Sequence, residues 1–188
     1  MTDTDKKRTF IYRIDKNDRI IYVDDEWLSF AQENQGELLN RENIYSKSLW
    51  DLISGNDTVF LYQHIFDRVR STKQEIEIPF RCDSPTCRRY MNLIISAQIN
   101  GVLEFLSQIV REEPRDYVSV FDANIERSEE FMKVCSWCKK VALSEGDWRE
   151  IEEAVNILEL YSKLPSPQIT HGMCPECRVL FFKDLKIN

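Results

Sequence analysis

The chain has 188 residues, of which 43% are hydrophobic and 30% are charged, and its formal net charge at pH 7 is −7. Because phosphate contacts need a basic face, this acidic balance disfavours non-specific nucleic-acid binding. The five glycines are too widely spaced for a dinucleotide or phosphate-binding loop, which argues against nucleotide-dependent catalysis by those routes. The sequence contains no apolar run approaching the roughly 20 residues of a membrane span.

Residues 1–8 form a polar tail with no apolar segment behind it. We therefore expect a cytoplasmic protein without a targeting signal. In a reducing compartment, its six cysteines favour metal or redox chemistry over a disulfide framework.

The pattern after the tail begins with a hairpin over residues 9–24 and a helix that Asp25 can cap. Asn56 and Asp57 can cap a second helix, over about 58–71. Its predicted inner face consists of Val59, Tyr62, Ile65, Phe66 and Val69. The same helical wheel places His64 on the polar face, which disfavours a role as a haem ligand.

Period-2 patterns then predict three strands. In the first of them Ile76, Ile78, Phe80 and Cys82 point inward, and Arg81 points outward. Asn100-Gly101 between apolar runs is a strong hairpin signal. Two strands, then helices, then three strands joined by hairpins predict an α+β domain, with an antiparallel five-stranded sheet and helices on one face.

This element order resembles a PAS sensor domain over residues 9–113. The resemblance rests on the first hairpin, on the helix before the three strands, and on Glu26-Trp27-Leu28-Ser29-Phe30-Ala31 and Ser48-Leu49-Trp50-Asp51-Leu52-Ile53. Arg81-Cys82-Asp83-Ser84-Pro85 followed by Arg88-Arg89 is similar to a small bacterial subfamily. The resemblance implies a core that holds a small-molecule ligand or transmits a partner's signal, and a homodimer formed through sheet faces.

Residues 114–134 form a charged connector, and Pro114 argues against a continuous coiled-coil linker from the last strand. Residues 117–125 include five large apolar side chains, those of Tyr117, Val118, Val120, Phe121 and Ile125, too many for a free solvated linker. We therefore expect residues 117–125 to dock onto one of the two folded parts of the chain.

Cysteine spacing carries the clearest chemistry. Cys135 and Cys138 form one C-x-x-C pair, and Cys174 and Cys177 form another. Such a pair can turn both thiolates toward one ion, and two pairs complete a tetrahedral zinc site. Because four ligands close the coordination shell, we expect Zn²⁺ to be structural rather than catalytic. The alternatives are a redox C-x-x-C and a site in which His171 replaces one cysteine.

The predicted zinc-binding module covers residues 135–188 as a small zinc-stapled α/β unit. Asp147 and Glu150 have the spacing of a capping box, which predicts a helix over about 148–160 between the cysteine pairs. The module resembles a cysteine-rich tail of bacterial signalling proteins, and the resemblance implies metal binding but no known activity. It carries seven basic and eight acidic residues, so nucleic-acid binding by it is disfavoured.

Cys82 and Cys87 flank a four-residue turn. If that turn closes a hairpin, the two thiols lie opposite one another, as buried hydrophobes or as a thiol redox switch.

From these patterns we predict a sensory or adaptor protein rather than an enzyme. It would detect a small molecule or partner through residues 9–113 and signal by protein–protein contact. Two alternatives stay open: a thiol-based redox regulator that uses Cys82 and Cys87 or the zinc-site cysteines, and a transcriptional regulator that binds DNA through residues 135–188.

Overall fold

A computed structural model describes residues 8–53, 55–160 and 165–184 of the chain, and the predicted polar tail lies outside this range except for Arg8. The chain divides into two compact units. The first unit comprises the residues up to Leu52 together with Phe66–Phe80 and Arg89–Glu112. The second comprises Ile53–Ile65, Arg81–Arg88 and the residues from Glu113 onward. The domain boundaries expected from the sequence stay a prediction.

A five-stranded sheet forms from the predicted strands, with the order β2-β1-β5-β4-β3. The strands are β1 (Thr9–Ile14), β2 (Ile20–Val23), β3 (Ile76–Arg81), β4 (Cys87–Ala97) and β5 (Leu103–Pro114). Strand β1 lies antiparallel to both β2 and β5, and it pairs with β5 from Thr9 opposite Gln108 to Ile14 opposite Leu103. The predicted mixed α+β fold with an antiparallel five-stranded sheet is confirmed.

Three helices lie between β2 and β3: α1 (Asp25–Glu33), α2 (Arg41–Ile44) and α3 (Asn56–Thr72). The N-cap of α1 is Asp24, one residue before the predicted cap. Its carboxylate accepts hydrogen bonds from the backbone amides of Trp27, at 2.7 Å, and Ile11, at 3.0 Å. One side chain thus caps the helix and holds it to strand β1, which is why Asp24 rather than Asp25 is selected.

Helix α3 buries much of the face that its sequence pattern predicts. Ile65, Phe66 and Val69 are buried, and His64 is exposed, as expected. The prediction missed Leu61, which is also buried. Helix α3 belongs to the second unit up to Ile65 and to the first unit from Phe66 onward.

The alternation predicted for β3 fails at its end. Arg81 was expected to point outward, but its side chain is only 7% exposed, because it pairs with the buried carboxylate of Asp83. The turn that follows also differs from expectation. Ser84 pairs with Cys87 across the two residues of the turn, so Cys87 lies opposite Ser84 and not opposite Cys82.

A second, four-stranded sheet has the order β8-β7-β6-β9. Its strands are β6 (Arg127–Cys135), β7 (Val141–Ser144), β8 (Asp147–Arg149) and β9 (Ser166–Gly172). Strand β9 runs parallel to β6, whereas β7 lies antiparallel to both β6 and β8. Two helices accompany this sheet, α4 (Ile151–Ile157) and α5 (Pro175–Asp184).

The helix predicted over 148–160 was wrong at its start. Asp147–Arg149 is strand β8, paired with β7, and helix α4 begins only at Ile151. Asp147 therefore does not cap a helix. Its carboxylate instead accepts a hydrogen bond from the guanidinium of Arg149 at 2.6 Å. The D-x-x-E spacing therefore does not mark a helix start here.

The core of the second unit includes part of the predicted connector. Val118 and Val120 are 1% and 0% exposed and belong to a buried cluster with Met132, Val134, Val141, Ile151, Ala154, Val155 and Leu160. The guanidinium of Arg127 fixes this segment by donating to the carbonyls of Val120 and Asp122, at 3.0 and 2.6 Å. The expectation that residues 117–125 dock onto a folded part of the chain is confirmed at these two valines.

Within the described ranges, no helix is long and apolar enough to cross a membrane.

Candidate metal centre

The two C-x-x-C pairs meet at one end of strands β6 and β9. Cys135 is the last residue of β6 and lies opposite Gly172, the last residue of β9. Because β6 and β9 are parallel, the chain leaves both strands at the same edge of the sheet. Cys138 and Cys174 follow within three residues of these strand ends, and the amide of Ser136 donates to the carbonyl of Gly172 at 2.9 Å.

The sulfurs of Cys135, Cys138, Cys174 and Cys177 all lie within 4.8 Å of one another. Between the two pairs, the sulfurs of Cys138 and Cys174 lie 3.5 Å apart. Cys135, Cys174 and Cys177 are buried, and Cys138 is partly exposed. The structure thus brings together the four residues that the sequence proposed as metal ligands.

A tight turn shapes the first pair. The amide of Lys139 donates to the carbonyl of Cys135 at 3.1 Å, and the amide of Cys135 donates to the carbonyl of Lys140 at 2.8 Å. Lys139 has a left-handed backbone with φ of 62°, a conformation that costs most residues free energy but glycine almost none. This turn reverses the chain so that Cys138 faces back toward Cys135.

A helix start shapes the second pair. Cys174 directly precedes helix α5, whose first residue is Pro175, and the amide of Cys177 donates to the sulfur of Cys174 at 3.4 Å. Proline suits the first helical position because no partner is needed there for an amide hydrogen. The amide of Cys174 donates to the sulfur of Cys135 at 3.5 Å. Such amide donors favour the thiolate form.

The thiols of Cys135, Cys138 and Cys177 share their protons unequally. Hydrogen bonds from Cys138 and Cys177 lower the pKa of the Cys135 thiol. The hydrogen bond to Cys135 raises the pKa of Cys138 to about 12, and hydrogen bonds to Cys135 and Cys138 raise the pKa of Cys177. Without a metal, the cluster therefore favours a thiolate at Cys135 and protons on Cys138 and Cys177. A metal ion must displace those protons, since only thiolates ligate well.

The geometry fits a tetrahedral tetrathiolate ion. Zinc–sulfur bonds of about 2.3 Å place the sulfurs of a tetrahedral site roughly 3.8 Å apart. The separation of 3.5 Å between Cys138 and Cys174 and the overall limit of 4.8 Å bracket that value. Four sulfur ligands leave no position for substrate or water, so an ion held here would stabilise the fold and perform no reaction.

Other residues singled out in the sequence lie outside this cluster. His171 pairs with Val134 in the parallel ladder, and the metal-ligand group found in the described part of the chain does not include it. Burial lowers the pKa of His171, which favours a neutral ring. Cys82 and Cys87 are partly buried cysteines at the two ends of the β3–β4 turn.

A buried charge cluster escaped the sequence analysis. The carboxylate of Asp83 is completely buried and pairs with the guanidinium groups of Arg81 and Arg115, each 7% exposed. Arg81 also pairs with Glu150 at 2.6 Å, and Arg88 pairs with Glu152 at 2.7 Å. These groups join the β3–β4 turn to the start of helix α4 within the second unit. The one sequence signal for these ion pairs was the density of charged residues around Arg81-Cys82-Asp83.

Replacement of Lys139 by glycine should stabilise the cysteine turn. Glycine removes the left-handed strain of about 1 kcal/mol, although the hydrogen bond from the Lys139 ammonium to the Ser136 carbonyl, at 2.8 Å, is lost. We expect Lys139→Gly to raise the midpoint of thermal unfolding and to slow metal removal by a chelator. The matched control is Lys140→Gly, since the backbone of Lys140 is not left-handed. Equal effects of both substitutions would contradict this account of the turn.

Acid should weaken the second unit partly through Glu152. Burial opposes ionisation of Glu152, but a backbone hydrogen bond and the charges of Arg88 and Arg115 outweigh it and lower its pKa below 4.5. A depressed folded-state pKa means that the contribution of this carboxylate is complete above the unfolded-state value. That contribution is lost as the pH falls through the folded-state pKa.

Glu152→Gln should therefore flatten the acid limb of the stability profile. The measurement is urea unfolding from neutral pH down into the acid range. The control is Glu153→Gln, because Glu153 is exposed on the same turn of helix α4. An unchanged acid limb in Glu152→Gln would contradict the assignment.

Comparisons with solved structures show a likeness to a PAS domain. The chain is similar to a PAS domain of an HTR-like protein from Haloarcula marismortui, with 13% sequence identity and a TM-score of 0.33. The match covers 60% of this chain and 84% of the PAS-domain chain. No protein-family model matches the sequence, and no curated protein matches it.

Proposed function

We propose that the protein is a cytoplasmic signalling protein, in which residues 9–113 sense a small molecule or a partner and a structural zinc ion in the C-terminal module builds the surface that signals. The observation that carries this proposal is the convergence of four cysteine sulfurs within 4.8 Å. Output is by protein–protein contact, and the chain has no enzymatic role.

Zinc is the metal that this donor set favours. A closed set of four thiolates is typical of structural zinc, whereas carboxylate and carbonyl oxygens suit calcium or magnesium. The strands β6 and β9 hold the two pairs at one sheet edge. The ion would be held by Cys135, Cys138, Cys174 and Cys177, and it would cross-link the ends of β6 and β9 to the start of helix α5.

The sensory role is supported by the order of elements. A hairpin, three helices and three further strands follow one another in the order that the PAS resemblance implies. Of the motifs quoted for that resemblance, Glu26–Ala31 lies in α1, and Ser48–Ile53 contains the short helical turn Leu49–Asp51. In such domains a ligand or a partner acts on the core, and a homodimer through sheet faces is part of the proposal.

Native mass spectrometry of the gently purified full chain tests these parts together. We expect one zinc ion per chain, a dimer mass, and a further adduct if the sensory part retains a small molecule. Protein that is folded yet metal-free after purification without chelators would contradict the zinc centre. A strictly monomeric mass over the whole concentration range would contradict the dimer without affecting the zinc centre.

Thiol-based regulation is the second candidate, because one ligand of the cluster is accessible. Cys138 is partly exposed, whereas the other three cysteines are buried. Hydrogen peroxide would oxidise two thiolates to a disulfide and would itself be reduced to water. The loss of two ligands would release the zinc ion. Zinc release by stoichiometric peroxide, reversed by dithiothreitol and added zinc, would support this role. Zinc that stays bound under those conditions would exclude it.

A further inference from the structure

We infer that the loop between Cys135 and Cys138 couples metal loading to the first half of helix α3 and to the end of strand β3. The two residues between the cysteines are Ser136 and Trp137, and neither is left free. Both are engaged by parts of the chain that precede the cysteine-rich segment by more than 50 residues. This inference rests on the proposed zinc centre.

Ser136 holds the loop to helix α3. Its hydroxyl lies 2.8 Å from the hydroxyl of Thr58, and Thr58 is only 5% exposed, in the first turn of the helix. A buried hydroxyl needs a hydrogen-bond partner, because water cannot reach it. The position of Ser136 therefore determines whether Thr58 is satisfied.

Trp137 holds the loop to helix α5, to helix α3 and to strand β3. Its side chain is 3% exposed, and its ring centroid lies 4.9 Å from that of Phe181 in helix α5 and 6.3 Å from that of Tyr62 in helix α3. Its carbonyl accepts a hydrogen bond from the amide of Arg81 at 2.7 Å. The loop is thus a junction of α3, β3 and α5 inside the second unit.

The strand that leads to the other cysteine pair also touches the helix start. Gly55 precedes helix α3 and has φ of +94°, and a Cβ atom built there would lie 3.1 Å from the carbonyl oxygen of His171. The absence of a side chain at Gly55 permits this close approach. His171 lies three residues before Cys174, so both cysteine pairs are attached near the start of α3.

Loss of the metal removes the cross-link that fixes this junction. The four sulfurs no longer share one ligand centre, so no metal–sulfur bond holds the Cys135–Cys138 loop in place. Movement of the loop takes the hydroxyl partner from Thr58, the ring contact from Tyr62 and the acceptor from the Arg81 amide. The first half of α3 and the end of β3 should therefore open more often in metal-free protein than in zinc-loaded protein.

Hydrogen exchange of the full chain, with and without zinc, measures this directly. We expect metal removal to speed exchange at least about tenfold in residues 59–65 and at the amide of Arg81. The amides of strand β1, in the first unit, provide the internal reference. Equal exchange of residues 59–65 in zinc-loaded and metal-free protein, with one zinc bound in the loaded form, would overturn the inference and leave the zinc centre standing.

Two substitutions remove the link without touching a ligand. Thr58→Val and Ser136→Ala should each retain zinc, as counted by metal analysis, and each should speed exchange of residues 59–65 in the zinc-loaded state. The matched control is Thr72→Val, the same chemical change at the exposed end of helix α3. These zinc-loaded variants test the coupling even if metal removal unfolds the whole second unit. Slow exchange in both zinc-loaded variants would overturn the inference, and protein that binds no zinc at all would refute the proposed function as well.

Discussion

Cys174→Ser should abolish zinc binding and unfold the second unit. Cys174 supplies one of four ligands, and its sulfur also accepts the amide hydrogen of Cys177 at the start of helix α5. Zinc binding at such sites contributes on the order of 10 kcal/mol to folding. A whole domain is stable by only about 5–15 kcal/mol, so the loss of the metal is comparable to the total stability.

The measurement combines metal analysis with circular dichroism and limited proteolysis. We expect Cys174→Ser to bind no zinc and to be cleaved rapidly between residues 113 and 184. Cys82→Ser is the control, because Cys82 is a partly buried cysteine outside the cluster; it should bind zinc like the unaltered chain. A Cys174→Ser protein with one zinc ion and native protease resistance would show that the fourth ligand is not needed.

Asp83→Asn should destabilise the second unit by about 3–5 kcal/mol, the usual cost of removing one partner from a buried ion pair. The Asp83 carboxylate is completely buried between Arg81 and Arg115, which are themselves nearly buried. Asparagine keeps the shape of the side chain but leaves two buried guanidinium groups without their shared negative charge. Glu150 and Glu152 replace only part of the lost negative charge, because their side chains are 34% and 38% exposed to solvent.

Urea unfolding of the zinc-loaded chain gives the magnitude. The control is Asp116→Asn, an exposed aspartate next to Arg115 in sequence, which should change the unfolding free energy by less than about 0.5 kcal/mol. Equal small effects of both substitutions would mean that the buried cluster contributes nothing to stability.

The candidate metal site could be predicted because its information is local in sequence. The spacing C-x-x-C already fixes which sulfurs can turn toward one ion, and Cys135, Cys138, Cys174 and Cys177 meet accordingly. Much of the five-stranded sheet was also predictable, since its strands alternate and three of its pairings, β1 with β2, β3 with β4 and β4 with β5, join strands that are consecutive in the chain. Asn100 adopts the left-handed φ of 58° that its Asn-Gly hairpin signal implies.

The rest depends on contacts distant in sequence. Strand β9 pairs in parallel with β6, about 40 residues earlier, and no local pattern announces such a pairing. Arg81 was assigned to the outer face because a charge in an alternating strand is normally solvated. It is buried because the carboxylates of Asp83 and of Glu150, 69 residues further along the chain, pair with its guanidinium.

The capping box failed for a related reason. Asp147 and Glu150 have the right spacing, but pairing with β7 keeps residues 147–149 extended. Helix propensity and capping patterns are weak local preferences, and a strand partner overrides them. Thr58 was likewise invisible as a functional residue, because only the fold brings its hydroxyl to Ser136.

X-ray absorption at the zinc edge of the purified full chain tests the central claim most directly. A tetrahedral site formed by Cys135, Cys138, Cys174 and Cys177 predicts four sulfur neighbours at about 2.3 Å and no lighter atom in the first shell. A shell that contains nitrogen or oxygen at about 2.0–2.1 Å, as a histidine or water ligand would give, would contradict the closed four-cysteine centre.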